Sequence, residues 1–104
     1  MQAEFLCTLQ PARPGMPDDP TPEERDAVGA HFAYYQQLRD RGVLVLAGRT
    51  TEPPYTGVFI FRAESEDHAH AIVQTDPAVA RSVMTATLQP FRTALTGRGP
   101  DEAR

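Results

Sequence analysis

Two consecutive apolar strand-like segments stand between two helix-like segments, and this order constrains the fold more than any other feature. The sequence predicts strands over residues 3–9, 43–48, 57–61 and 84–91, and helices over residues 21–41 and 65–74. The resulting order is β-α-β-β-α-β. Because both crossovers should be right-handed, we expect a four-stranded antiparallel sheet with two helices on one face, an α+β ferredoxin-like fold.

Capping residues mark where the helices begin and end. In Thr21-Pro22-Glu23-Glu24 the threonine is an N-cap, proline suits the first helical position and Glu24 completes a capping box. Gly42 is typical of a residue just past a helix end. A second helix should begin after Ser65, and Asp76-Pro77 should restart a short helical turn that continues through Ser82.

The length of 104 residues fits one domain, which we place at residues 1–95. Residues 10–21 form a proline-rich loop, long enough to act as a lid or to wrap a partner. Residues 96–104 are expected to be a flexible C-terminal tail.

Composition excludes several classes of function. The net charge is −4 and the ten cationic residues, all arginine, are scattered, so we expect no nucleic-acid partner. The arginine usage indicates a GC-rich bacterial genome. No signal peptide or membrane-spanning run is visible, so we expect a cytoplasmic protein without a membrane partner. Cys7 is the only cysteine, which excludes an intrachain disulfide and a Cys-rich zinc site; its apolar strand favours a buried, inert thiol.

His31 is the strongest candidate for chemistry. The first helix carries an apolar stripe, and His31 falls inside it, so it should point towards the core or a cavity. The stripe consists of Val28, Phe32, Tyr35 and Leu38. A histidine there can abstract or donate a proton near neutral pH. The alternative is a core histidine whose ring is satisfied by a backbone group or water.

The second and third strands are apolar on both faces, although the helices cover only one. Val43 and Val45 are expected to oppose Leu44 and Leu46, and residues 57–61 repeat this pattern with Val58 and Ile60 opposing Phe59 and Phe61. Soluble monomers avoid large exposed apolar surfaces. We therefore predict a homodimer joined through the sheet face.

Several short sequence segments, taken in their order along the chain, resemble the YCII-related family. This family belongs to the dimeric α+β barrel superfamily, which has ferredoxin-like topology. The segments are His31 ahead of Leu38, the strand ending in Ala47-Gly48, the run Phe61-Arg-Ala-Glu-Ser-Glu-Asp-His-Ala, Asp76-Pro77 and Gln89-Pro-Phe-Arg92. The resemblance spans residues 3–95. It implies an active site at His31 and Asp76. One branch of the family resembles a dehydrochlorinase acting on a chlorinated hydroxyhydroquinone, and related barrels include muconolactone isomerases and small monooxygenases.

The chain departs from the family pattern in two places. Gly48-Arg49 stands where the family often has Gly-Pro, and the proline-rich loop is longer than in the shortest members. Both changes can reshape the mouth of a pocket, so substrate identity does not transfer.

Other candidates each have a plain structural alternative. Asp76 either caps a helix or orients His31 and stabilises its cation. Arg49, where the second strand ends, either binds a substrate carboxylate or phenolate or is a solvated loop residue. Tyr34 is a candidate to line the pocket and donate a hydrogen bond. His68 and His70 point in opposite directions on a helix, so no metal site is expected.

The leading hypothesis is a cofactor-independent lyase or isomerase that uses His31 and Asp76 for proton transfer on a small aromatic or cyclic molecule. The alternatives are a non-catalytic module that binds a small molecule, and a purely structural dimer.

Overall fold

The computed structural model describes residues 2–100. The elements are β1 (Ala3–Pro11), α1 (Pro22–Asp40), β2 (Leu44–Arg49), β3 (Gly57–Ala63), α2 (Glu66–Thr75), α3 (Pro77–Ala80) and β4 (Met84–Phe91). The four strands form one antiparallel sheet in the order β2-β3-β1-β4. This confirms the α+β ferredoxin-like fold.

Alternate residues of the two central strands make the core under the helices. On β1 these are Phe5, Cys7 and Leu9, which pair across the sheet with Phe61, Phe59 and Gly57 of β3. The helices close this face with buried side chains, namely Ala27, Tyr35, Leu38, Ala69, Ile72 and Val73. Since pairing fixes which side chains share a face, Leu6, Val58 and Ile60 lie on the opposite, helix-free face.

The predicted helix ends are confirmed. Thr21 Oγ1 accepts the amide of Glu24, and Glu24 Oε1 accepts the amide of Thr21, which completes the capping box. Gly42 follows the last turn with φ of +74°, a conformation that favours glycine. Ser65 caps α2 by accepting the amide of His68.

Three local predictions were wrong. Phe32 is 65% exposed, because the buried stripe of α1 runs through Ala27, Tyr35 and Leu38, and Phe32 lies beside it. A β-bulge places Leu44 opposite Phe61 but Leu46 opposite Ile60, so the two leucines face opposite sides instead of sharing one.

The irregular loop was expected to cover residues 10–21. Instead β1 continues through Gln10 and Pro11, which pair with Thr85 and Met84 on the neighbouring strand β4.

Within residues 2–100, no helix is both long and apolar enough to cross a membrane. Residues 96–100 are exposed and form no helix or strand, and the remainder of the predicted tail, 101–104, lies outside the described residues.

Candidate functional site

The His31 side chain contacts Asp76. Nδ1 of His31 lies 2.9 Å from Oδ1 and 2.8 Å from Oδ2 of the carboxyl group. The histidine projects from the middle of α1, whereas the aspartate lies at the junction of α2 and α3. The fold therefore brings together two residues that are 45 positions apart in the chain.

Asp76 is fully buried. Besides His31, its Oδ1 accepts the amide of Ala78 at 2.9 Å, so that the aspartate also caps the short helix α3. The capping role and the contact with His31, which were alternatives from sequence, coexist. A buried carboxylate needs such donors, since leaving it unpaired would be costly.

Two side chains near Asp76, Cys7 and Tyr35, have raised pKa values. Burial, together with the nearby Asp76 charge, raises the pKa of the Cys7 thiol to about 12. Burial and then the same charge also raise the pKa of the Tyr35 hydroxyl. Both effects oppose the formation of a second negative charge beside the carboxyl group.

Two contacts hold α1 against the segment that carries Asp76. The hydroxyl of Tyr34 donates to the carbonyl of Ile72 in α2 at 2.7 Å. At the other end, Arg81, the C-cap of α3, forms an ion pair with Asp26 at 2.9 Å. The second contact is exposed and contributes little stability.

A cavity of about 590 Å³ opens on the other side of His31. It lies between α1, β2 and the proline-rich loop, and it has the size of ordinary small-molecule sites. Its walls are mainly apolar and include Val28, Phe32, Leu44, Val58 and Met84. The imidazole of His31 lines this cavity and its side chain is 14% exposed, so a ligand can reach it.

The proline-rich loop forms one wall of the cavity. Met16 is only 4% exposed, and it lines the cavity together with Pro17 and Pro20.

Arg13 anchors the loop to α1, because its guanidinium donates to both carboxylate oxygens of Glu24, at 3.0 and 2.6 Å. It also donates to the carbonyl of Asp19 within the loop.

A second contact joins this loop to the one between β2 and β3. The hydroxyl of Tyr55 donates to Oδ1 of Asp18 at 2.8 Å, across the rim of the cavity. Arg49 lies beside it, with its guanidinium carbon 5.8 Å from the centre of the Tyr55 ring. The rim is thus made of the two loops and the end of β2.

This arrangement can support proton transfer. A carboxylate only accepts hydrogen bonds, so the contact with Asp76 assigns the proton of a neutral imidazole to Nδ1 of His31. Nε2 then carries the lone pair, and within residues 2–100 it has no hydrogen-bond partner. The Tyr35 ring packs against the imidazole with a centroid separation of 4.3 Å and limits its rotation.

The predicted site residues divide into two groups. His31 and Arg49 line the same cavity, and Asp76 contacts His31 from behind. Tyr34 lies outside the cavity lining and uses its hydroxyl between helices.

Both histidines of α2 are exposed. Among the described residues, no group of three or more His, Cys, Asp or Glu side chains could hold a metal ion.

Two arginines that line the cavity were not among the predicted site residues. Arg25 and Arg39 line the cavity from α1. Their signal was present in the sequence, because Arg25, Val28, Phe32, Gln36 and Arg39 follow the three-and-four spacing of one helix face.

Comparison with known proteins supports the fold. The family model described as the YCII-related domain matches residues 4–91. No curated protein matches the chain significantly.

The solved structure of 5-chloro-2-hydroxyhydroquinone dehydrochlorinase from Burkholderia phenoliruptrix, in complex with 2,5-dihydroxybenzoquinone, is 22% identical. The match covers 85% of this chain and 93% of that one, with a TM-score of 0.63. Muconolactone isomerase is 14% identical over 94% and 97% of the two chains, with a TM-score of 0.67. An uncharacterised protein from Thermotoga maritima is 8% identical over 88% and 100%, with a TM-score of 0.57.

Proposed function

The chain belongs to the YCII-related family, and we propose that it is a small-molecule enzyme in which His31 and Asp76 transfer a proton. The substrate would be a small cyclic or aromatic molecule, and the reaction an isomerisation or an elimination that needs no cofactor. Two structurally similar proteins, a dehydrochlorinase and an isomerase, carry names consistent with this class of reaction.

One observation carries the proposal: the buried Asp76 carboxylate binds Nδ1 of His31 while the same imidazole lines an apolar cavity. A purely structural histidine needs a partner but not a cavity. A simple binding site needs a cavity but not a buried carboxylate behind the ring.

In the proposed mechanism Nε2 of His31 takes a proton from a saturated ring carbon next to a carbonyl group. The electron pair of the broken C–H bond moves into the ring system of the substrate. The positive charge that develops on the imidazole is stabilised by Asp76, which keeps Nδ1–H oriented throughout. In an isomerisation Nε2–H then returns the proton to a different carbon. In an elimination the same electron pair breaks the bond between the neighbouring carbon and the leaving group, which departs as an anion, and Nε2–H gives its proton to water.

We propose that Arg49 binds the substrate at the rim of the cavity. Its planar guanidinium suits an oxyanion or a carboxylate, and its contact with the Tyr55 ring orients it without neutralising its charge.

Solvent deuterium exchange tests the proton-transfer step without knowledge of the natural substrate. Wild type, His31→Gln and Asp76→Asn are incubated in D₂O with unsaturated cyclic lactones and with chlorinated hydroquinones, and proton NMR follows loss of the C–H signals. We expect exchange with wild type on at least one compound, and a loss of roughly 100-fold or more with His31→Gln.

The same compounds distinguish the alternatives. If some compounds raise the melting temperature of wild type in a thermal-shift assay but none undergoes catalysed exchange, a binding module is favoured. If no compound stabilises wild type more than His31→Ala, and the variant only melts lower, His31 is structural.

We also propose that a second copy of the chain covers the helix-free face of the sheet. Leu46 is 52% exposed there, and Leu6, Val58 and Ile60 continue the apolar surface across the next two strands. Such a surface is more typical of an interface than of a solvated sheet.

A further inference from the structure

Among residues 2–100, the charged side chains that line the cavity are all basic. Arg25, Arg39 and Arg49 line it together with His31, and no Asp or Glu is among the lining residues. The chain as a whole has 14 acidic and 10 basic residues, so this segregation runs against its overall composition.

Two of the three arginines have no carboxylate partner. Arg39 forms an ion pair with Asp40 at 3.1 Å. Among residues 2–100, neither Arg25 nor Arg49 forms a salt bridge. Their charges are therefore available to a ligand.

The topology places these two free arginines at the same end of the cavity. Strands β1 and β2 both run antiparallel to β3, so they are parallel to each other and their C-terminal ends lie together. Arg49 is the last residue of β2, and α1 begins at this end, after the loop that follows β1. Arg25 lies in the first turns of α1.

The distance to His31 limits the size of a ligand. His31 follows Arg25 by six residues, a rise of about 9 Å along α1. The wall between the two positions includes the apolar side chain of Val28. A ligand that spans it needs an anionic group at one end and an apolar body, about one or two rings long, that reaches Nε2.

We propose that the cavity selects small organic monoanions, carboxylates or phenolates on a one- or two-ring apolar body. Arg25 and Arg49 bind the anionic group, and the opposite end of the body lies against His31. This inference names the substrate class of the proposed enzyme and rests on that proposal for the role of His31, but the selection of an anion can be tested by binding alone.

The test compares 2-naphthoate with its neutral isostere 2-naphthamide by isothermal titration calorimetry on the full chain. We expect 2-naphthoate to bind about tenfold more tightly than 2-naphthamide, a difference that one to two charge-assisted hydrogen bonds can provide. The binding of 2-naphthoate should weaken as the salt concentration is raised. Arg49→Gln and Arg25→Gln should each remove most of the preference for the anion while leaving the affinity for the amide unchanged.

Arg98→Gln is the matched control, because it removes the same charge from an exposed residue outside the cavity. It should keep the full preference. Equal binding of the two probes, no binding of 2-naphthoate at millimolar concentration, or an unchanged preference in both cavity variants would overturn the proposal. Circular dichroism confirms that each variant is folded.

His31→Gln separates this inference from the proposed function. If the variant loses catalysed deuterium exchange but still binds 2-naphthoate in preference to the amide, both proposals hold. If wild type prefers the anion yet exchanges no compound, anion selection stands and the enzymatic proposal fails.

Discussion

His31 Nδ1 lies within 2.9 Å of both carboxylate oxygens of Asp76, and the aspartate is fully buried while the histidine reaches the cavity. The pair therefore connects the interior of the domain to its ligand-accessible surface. Its two members should respond differently to mutation.

Asp76→Ala should destabilise the protein more than His31→Gln does. The alanine variant loses the cap of α3 and leaves the imidazole and the Ala78 amide without an acceptor, at a cost of about 3 kcal/mol. The glutamine of His31→Gln still has an N–H that can donate to the Asp76 carboxylate, so this variant should cost about 1 kcal/mol. Urea denaturation measures both. Equal losses would show that the histidine is as structural as the aspartate.

Tyr34→Phe and Tyr35→Phe each remove one hydroxyl group, from two neighbouring residues, so their effects can be compared directly. The Tyr34 hydroxyl donates to Ile72, so its removal should cost about 1 kcal/mol. The Tyr35 hydroxyl is buried without a hydrogen-bond partner among residues 2–100, so its removal should be neutral or stabilising. Thermal unfolding of the two variants checks the order. A larger loss for Tyr35→Phe would reveal a partner for that hydroxyl.

Features set by residues close together in the chain were predicted from the sequence, whereas contacts between distant residues were not. The Thr21 capping box and the end of α1 at Gly42 are set by residues within a few positions, and both were predicted. The contact between His31 and Asp76 joins distant segments, so only the family resemblance pointed to it. Phe32 was assigned to the core because spacing alone cannot show that the neighbouring edge of the sheet leaves a cavity there.

Cys7 should resist thiol reagents in the folded protein. Its pKa is raised to about 12 by burial and then by the charge of Asp76, and the side chain is inaccessible. A water-soluble aromatic disulfide at pH 9 should leave the native protein unlabelled and react completely in 6 M guanidinium. Rapid labelling without denaturant would contradict the buried position.

The raised pKa also has a consequence for alkaline stability. The ordinary pKa of a cysteine is 9.0, so above that pH the unfolded thiol ionises while the folded one does not. The contribution of the neutral thiol is complete below pH 9 and is lost as the pH rises towards 12. Cys7→Ala should show a smaller loss of stability than wild type over this interval.

Acid should release the proline-rich loop. Hydrogen bonds from Arg13 and the Thr21 amide lower the pKa of Glu24 to about 2, from an ordinary value of 4.5. A lowered pKa contributes stability above pH 4.5, and this contribution is lost as the pH falls towards 2. Amide hydrogen exchange of residues 12–20 should therefore accelerate, relative to the intrinsic rate, over that interval.

Glu24→Gln should produce the same acceleration at pH 7, because the amide cannot form an ion pair with Arg13. Glu23→Gln is the control, since it removes a charge from the same first turn without contacting the loop. Equal protection of the loop in both variants would show that the contact with Arg13 does not anchor it.

Ile60→Lys should dissociate the proposed dimer. Ile60 lies on the helix-free face, where it pairs with Leu6 and Leu46 on the two neighbouring strands, so a lysine there would place a charge in the middle of the interface. In the monomer the same lysine can extend into water along the sheet and should cost little stability. Ala33→Lys, on the exposed side of α1, adds the same charge elsewhere and should leave the assembly intact. Sedimentation velocity at micromolar concentration should then give a dimer for wild type and Ala33→Lys and a folded monomer for Ile60→Lys; a monomeric wild type would mean that the apolar face is left to solvent or to a different partner.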